Sequence, residues 1–234
     1  MITILILVVL GLCILAGYYR GVIYSAVSIG LTLLSFFLAL LLIPVVTGTV
    51  RGSKSLYSSL LYYFEGYESI GKTSVELIHE PAASIDDEML SEVVENADLP
   101  LPLGSAIEKN IRTEAYRSRG ITTIGDYFNQ TIVDVVLNIL SLLFLFVCFR
   151  VSLGFILRLI DYGRRGLPAL KRFDPLFSCG IGFLHGVLLL YIFFLIAPVI
   201  LTIVPARFGS MLVDPPLAGF FYRMNPFMWM IPTT

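Results

Sequence analysis

Between residues 132 and 204 two long apolar runs flank one short basic patch, Arg164-Arg165 and Lys171-Arg172. Each run is long enough to cross a bilayer, whose hydrocarbon core takes about 20 helical residues. A short Lys/Arg-rich loop between two such runs is held on the cytoplasmic side of a membrane. The pattern constrains class, topology and compartment together. A water-soluble helical protein of this size would need polar faces on its helices every few residues, and stretches such as Leu188–Ile200 offer almost none. Composition agrees: 57% of the 234 residues are apolar, mean hydropathy is +0.86, and charged residues fall to 14%, against roughly 25% in soluble domains. The net charge of −1 says little, because the charges are segregated along the chain.

Four spans can be placed: Ile2 to about Tyr18, Val22 to Val46, Ile132 to about Leu157, and Leu176 to Val204. The second would reach roughly 37 Å as a helix, enough to cross with tilt. For the first run a signal peptide competes with an anchor. No basic stretch precedes Ile2 and no cleavage-like site follows, while Tyr18 and Tyr19 suit an interfacial aromatic belt, so the run reads as an anchor. The expected fold is an all-α integral membrane protein with four transmembrane helices and a mostly helical extracytoplasmic insertion between spans 2 and 3. Its segments are a helical hairpin over 1–46, the insertion 47–131, spans 3 and 4 over 132–204 with a basic cytoplasmic loop at 158–174, and a tail over 205–234. Four basic residues against two acidic ones between Asp161 and Asp174 put that loop inside, with the Arg20 turn on the same side. The insertion and both termini then fall outside.

The insertion is too long and too patterned for a mere connector. Leu56, Leu60, Phe64 and Tyr67 recur at helical spacing, and Ile85, Met89, Val93 and Ala97 share a face behind Ser84. Ser105 stands three before Glu108 at capping-box spacing, ahead of Ile107, Ile111 and Ala115. Residues 98–104, rich in Pro and ending in Gly104, should break the helix and run extended. Two or three short amphipathic helices on the outer face are expected, with an independently folded soluble module as the rival. The tail is rich in Pro and aromatics, including Phe220, Phe221, Tyr222, Phe227 and the single Trp229. It reads as a segment folded back on its own protein or on the interface, with a partner-binding hook as the sharper alternative.

No catalytic pattern is found. Cys13, Cys148 and Cys179 lie within spans as packing residues, and with only His79 and His185 there is no metal-ligand spacing. No cofactor, metal, enzymatic activity or nucleic-acid partner is expected, and the sequon Asn129-Gln130-Thr131 abuts a span. The intramembrane polar residues carry more information. Asp134, Asn138 and Ser141 fall on one face of the third helix. Ionisable groups in lipid are costly and face protein or water, so this face is either an interhelical hydrogen-bonding surface or a solute or proton path. Arg150 and Arg158, toward the other end, should snorkel to the interface. Ser178, Gly182 and Gly186 recur every four residues in the last span, a spacing that lets helix backbones approach closely. His185 beside them is read as a cross-helix hydrogen bond, with a titrating role as the rival. Gly17 and Gly21 should permit a tight hairpin around Arg20.

Three of these features together resemble the colicin V production protein family of small four-span bacterial membrane proteins. They are Gly17-Tyr18-Tyr19-Arg20-Gly21 between two apolar runs, Phe173-Asp174 followed by Gly182 and Gly186, and the layout of two spans, a loop, two spans and a basic inner loop. The likeness covers about 1–46 and 132–204. Two positions differ: Tyr24-Ser25-Ala26 stands where members often carry a charge, and His185 where they often have Arg or Lys. The resemblance implies a bacterial inner-membrane protein with an accessory or scaffold role in toxin (bacteriocin) production or secretion and in envelope maintenance. Its partners would be the lipid bilayer, envelope or secretion proteins reached through 47–131 and 205–234, and further copies of itself as a homo-oligomer. An oligomeric channel or transporter for an ion or small solute is the alternative.

Overall fold

In the computed structural model, residues 2–63, 75–160, 174–204, 209 and 212–234 are described, with the side chains of 75, 76, 157–160 and 174 left aside. The basic loop residues Arg164, Arg165, Lys171 and Arg172, along with Phe64, Tyr67, Phe173 and the side chains of Arg158 and Asp174, lie outside the described set. Among the described residues all regular structure is helical, apart from one isolated bridge between Pro81 and Thr123. The α-helices are α1 (Ile2–Arg20), α2 (Val22–Gly52), α3 (Lys54–Tyr63), α4 (Val75–Ile78), α5 (Asp87–Asn96), α6 (Leu103–Arg112), α7 (Ile124–Ile160), α8 (Asp174–Phe194), α9 (Ala197–Ile203) and α10 (Pro216–Arg223). Four stretches are long and apolar enough to cross a membrane: Ile2–Arg20, Val22–Gly52, Ile124–Ile156 and Pro175–Ile203. The chain is thus an all-α protein with four membrane-spanning-capable helices.

Several boundaries differ from the sequence expectation. The limits at 46/47 and 131/132 fall inside α2 and α7. Hydropathy marks where a helix stops being apolar, while the hydrogen-bond ladder continues until something interrupts it. The fourth span is not one helix: α8 stops at Phe194 and α9 begins at Ala197, with Pro198 in its first turn. Proline has no N–H for the carbonyl four residues back and its ring crowds it. The sixth helix starts at Leu103, so Gly104 is helical and Ser105 is not its cap; the Ser105 hydroxyl donates to the Pro102 carbonyl at 2.9 Å. On α5 the buried residues are Leu90 and Val93, followed by Ala97, while Met89 is exposed. Val93 and Ala97 of the expected face are thus buried, and Leu90 takes the place expected for Met89. The helix begins after Asp86, and Ser84 sits in a separate 3₁₀ turn.

The chain divides into two compact units. Unit 1 comprises residues 1–43, 141–195 and 210–227, and unit 2 comprises 44–140, 196–209 and 228–234. The division of α2 falls between Ile43 and Pro44, where proline removes one rung of the ladder.

In unit 1, α1 and α8 pack closely along their length. A Cβ placed on Gly182 would stand 2.5 Å from the Cys13 carbonyl oxygen, and one on Gly186 3.1 Å from the Cys13 Cβ. Gly17 meets the Ser178 carbonyl in the same way. At Gly17 and Gly182 only glycine allows this approach, because a side chain would occupy the partner's backbone, while at Gly186 it would crowd the Cys13 and Leu10 side chains. Gly17 therefore belongs to the helix contact, and Gly21 alone makes the turn, at φ +83°. The aromatic tail packs in this unit too. Phe221 lies 5.9 Å from Phe194 and 5.2 Å from Tyr191, centroid to centroid, and Phe227 lies 4.4 Å from Phe36. Asn225 donates to the Tyr191 carbonyl at 2.7 Å. That carbonyl needs a partner because the Leu195 N–H turns instead to Ile192.

Unit 2 is built on an amphipathic α6 that buries Leu103, Ala106, Ile107 and Ile111, packs with α5, and is joined to α7 through Asn110 and Thr131. Ile78 presses on Gly125, where a Cβ would stand 2.6 Å from its side chain. The Ile124 N–H donates to the Glu80 carbonyl and the Ala82 N–H to that of Thr122, tying 78–84 to the start of α7.

Candidate functional site

Two buried polar clusters stand out, one in each unit. In unit 2 the centre is Asp134, which has no solvent exposure. Arg51, in the last turn of α2, places Nη2 2.9 Å from its Oδ1, and Arg119 places Nη1 3.4 Å from Oδ2. Gln130, one turn earlier on α7, donates to Asp134 at 3.1 Å and to the hydroxyl of Tyr57. Two guanidiniums on one carboxylate leave this cluster with a surplus positive charge. Beside it, Asn110 Nδ2 reaches Tyr116 Oη and Thr131 Oγ1 at 3.1 Å and the Thr233 carbonyl at 2.8 Å. Burial, and after it the Asp134 charge, push the Tyr116 hydroxyl well above the ordinary tyrosine range, so it stays protonated. Asn138, one turn past Asp134, donates to the Pro232 carbonyl at 2.7 Å. Residues 228–234 are thereby held through their backbone by two buried asparagines.

Unit 1 holds a different arrangement. Ser25, Ser28, Thr32 and Ser35 lie at i, i+3, i+7 and i+10 along α2, and all four are buried. Thr32 and Ser35 return their hydroxyl protons to the Ser28 and Leu31 carbonyls, at 2.8 and 2.6 Å. Thr32 Oγ1 also lies 3.0 Å from His185 Nε2. With the threonine proton committed to Ser28, the histidine is the donor in that pair. The Arg150 side chain runs toward the C-terminal end of α7, where its Nη1 lies beside Gly154 and its Nη2 donates to Ser28 Oγ at 2.9 Å, a buried hydroxyl on the facing helix offering an acceptor. One turn earlier on α2, the Arg20 guanidinium stands 5.0 Å above the ring of Tyr24.

The sequence candidates therefore separate. Gly17, Gly182 and Gly186 come together with Cys13 and Ser178, while Arg20 and Gly21 sit at the α1–α2 turn. His185 joins the hydroxyl row of α2, and Asp174 begins α8. Asp134 and Asn138 belong to the unit 2 cluster, and Ser141 is buried in unit 1. Two recesses of about 330 and 320 Å³, one in each unit, have none of Asp134, Asn138 or His185 in their walls. Sequence reading missed Arg51, Arg119, Tyr57, Gln130, Asn110 and Tyr116, whose union depends on distant segments. It also missed the hydroxyl row of α2, although the 3-4-3 spacing of Ser and Thr in an apolar run was a readable signal. Among the described residues no three His, Cys, Asp or Glu gather in a metal-binding group.

With this geometry in hand, the chain was compared with protein-family models, curated proteins and solved structures, and none matches.

Proposed function

We propose that the chain is a multi-pass protein of a bacterial inner membrane that acts without catalysis, as an accessory or scaffold in bacteriocin production or secretion and in envelope homeostasis. Residues 47–131 and both termini lie outside the cytoplasm in this reading, and the basic loop 158–174 lies inside. The observation that carries it is the internal pairing of the intramembrane polar groups. Asp134 is held by Arg51 and Arg119, Asn138 by the Pro232 carbonyl, and His185 by Thr32. Polar groups spent on one another specify a packed helical frame. The resemblance to the colicin V production family supplies the context, and it draws support from Gly17, Gly182 and Gly186 lying at the close approach of α1 and α8. Partners would be envelope or secretion proteins meeting 47–131 or 205–234, with self-association as a homo-oligomer.

Cysteines introduced at Ser105 and Trp229 should react with a membrane-impermeant maleimide in intact cells, and one at Arg165 should not. Photo-crosslinkers in 47–131 should recover envelope or secretion proteins; recovery of self-contacts alone would defeat the scaffold reading. The second reading, an oligomeric channel or transporter, is favoured by the buried hydroxyl row of α2 with His185 beside its third member, Thr32. Proteoliposomes that pass no ion or small solute across a broad panel would remove it.

A further inference from the structure

Among the described side chains, the two cations at the turn end of unit 1 have no carboxylate partner. Arg150 lies six residues inside the apolar stretch Ile124–Ile156, and Ser28 six residues inside Val22–Gly52. Counted to the helix ends at Val22 and Ile160, Ser28 is about 9 Å in and the Arg150 backbone about 15 Å in at 1.5 Å per residue, with the Arg150 side chain running back toward its end. Arg20 sits at the same end, one helical turn away through Tyr24. Unit 1 has no acidic residue within 1–43, and the only acid there with a described side chain, Asp214, makes no ion pair with either arginine. The same chain neutralises Asp134 with two guanidiniums. An arginine stays charged at every physiological pH, and a cation at membrane depth needs an anion or water to hold it. Ser28 engages one of the five N–H donors of Arg150. The remaining donors of a planar fork match the oxygens of a phosphate.

We infer that Arg150 and Arg20, set one turn apart along Tyr24 and Ser28, form a binding site for a phosphate monoanion, supplied by the headgroup of an anionic phospholipid. The inference rests on reading these helices as membrane spans. Arg150 draws the phosphate to the end of the hydroxyl row, and Arg20 closes over it from the turn. Ser28 fixes the guanidinium so that its outer edge faces the headgroup.

The full chain, purified in a neutral detergent, tests this by native mass spectrometry and by lipid titration of its thermal midpoint. Dioleoyl phosphatidylglycerol should remain bound and raise the midpoint, with dioleoyl phosphatidylcholine at least tenfold weaker. Arg150→Gln should weaken phosphatidylglycerol retention by roughly tenfold or more, the scale of a lost charge-assisted contact. Arg20→Gln should give a smaller loss, and Arg223→Gln, an exposed arginine of the same unit, none. Arg150→Lys keeps the charge and should retain part of the binding, which covers the case in which the glutamine variant does not fold. Saturation by inorganic phosphate alone, abolished in Arg150→Gln, would support the phosphate site and overturn the lipid as its source. Equal retention in wild type and Arg150→Gln, or equal binding of the two lipids, would overturn the site. Recovery of the chain outside the membrane fraction would instead defeat the spanning reading on which it rests.

Discussion

Asp134 and Arg150 are both charges set in long apolar helices, and the two units treat them in opposite ways. Unit 2 surrounds its carboxylate with Arg51, Arg119 and Gln130, so the ion is paired and its oxygens are occupied. Unit 1 gives its guanidinium a serine hydroxyl and places a second arginine one turn away. A buried ion that is paired within the chain is part of the frame, and losing one partner strands the other. An ion that has only a hydroxyl among the described side chains is open to a countercharge from outside the chain. The contrast separates a structural cluster from a binding one with the same residue types.

The strongest test of this contrast is Asp134→Leu, which leaves two arginines facing apolar surroundings. It should cost roughly 3–5 kcal/mol, in the range for breaking a buried ion pair. The readout is loss of monodisperse protein and a lowered thermal midpoint in detergent. An unchanged midpoint would end the claim that unit 2 depends on its ions. Next comes Gly182→Leu in unit 1, whose Cβ would meet the Cys13 carbonyl at 2.5 Å. Overpacking of this kind costs about 1–3 kcal/mol, and protease protection of α1 should fall with it. Asn138→Leu strands the Pro232 carbonyl, a loss of about 1–3 kcal/mol. Protein levels should drop in proportion; normal levels with a lost flux would favour the channel reading. The smallest effect belongs to Arg150→Met. Losing its bond to Ser28 is offset by removing a cation from membrane depth, so stability should change by less than about 1 kcal/mol. A loss as large as that of Asp134→Leu would make Arg150 structural and erase the difference between the two units.

Most of the helical class was legible along the chain, because bilayer-length apolar runs of period 3.6 leave few alternatives. The helix-contact glycines were legible too, since small residues every four positions mark one face. What failed to show were lengths and partners. Hydropathy ended the second and third spans within Thr47 and Thr131, where the helices run on to Gly52 and back to Ile124. It also carried the fourth span through Pro198, where the ladder breaks. On α5, Val93 and Ala97 are buried as their spacing predicts, but Met89 is apolar yet exposed and Leu90 faces the core in its place.

The polar residues show the same division at finer grain. That Asp134, Asn138 and His185 stand inside apolar helices follows from composition and period alone, because those fix which residues lie at membrane depth. That Arg51 and Arg119 close on Asp134, that two asparagines hold residues 228–234 by their carbonyls, and that Arg150 bonds to Ser28 are tertiary facts. Local spacing sets the face on which a side chain lies. Its partner is whichever distant segment the packing brings within about 3 Å, and a hydrogen bond has no longer reach than that.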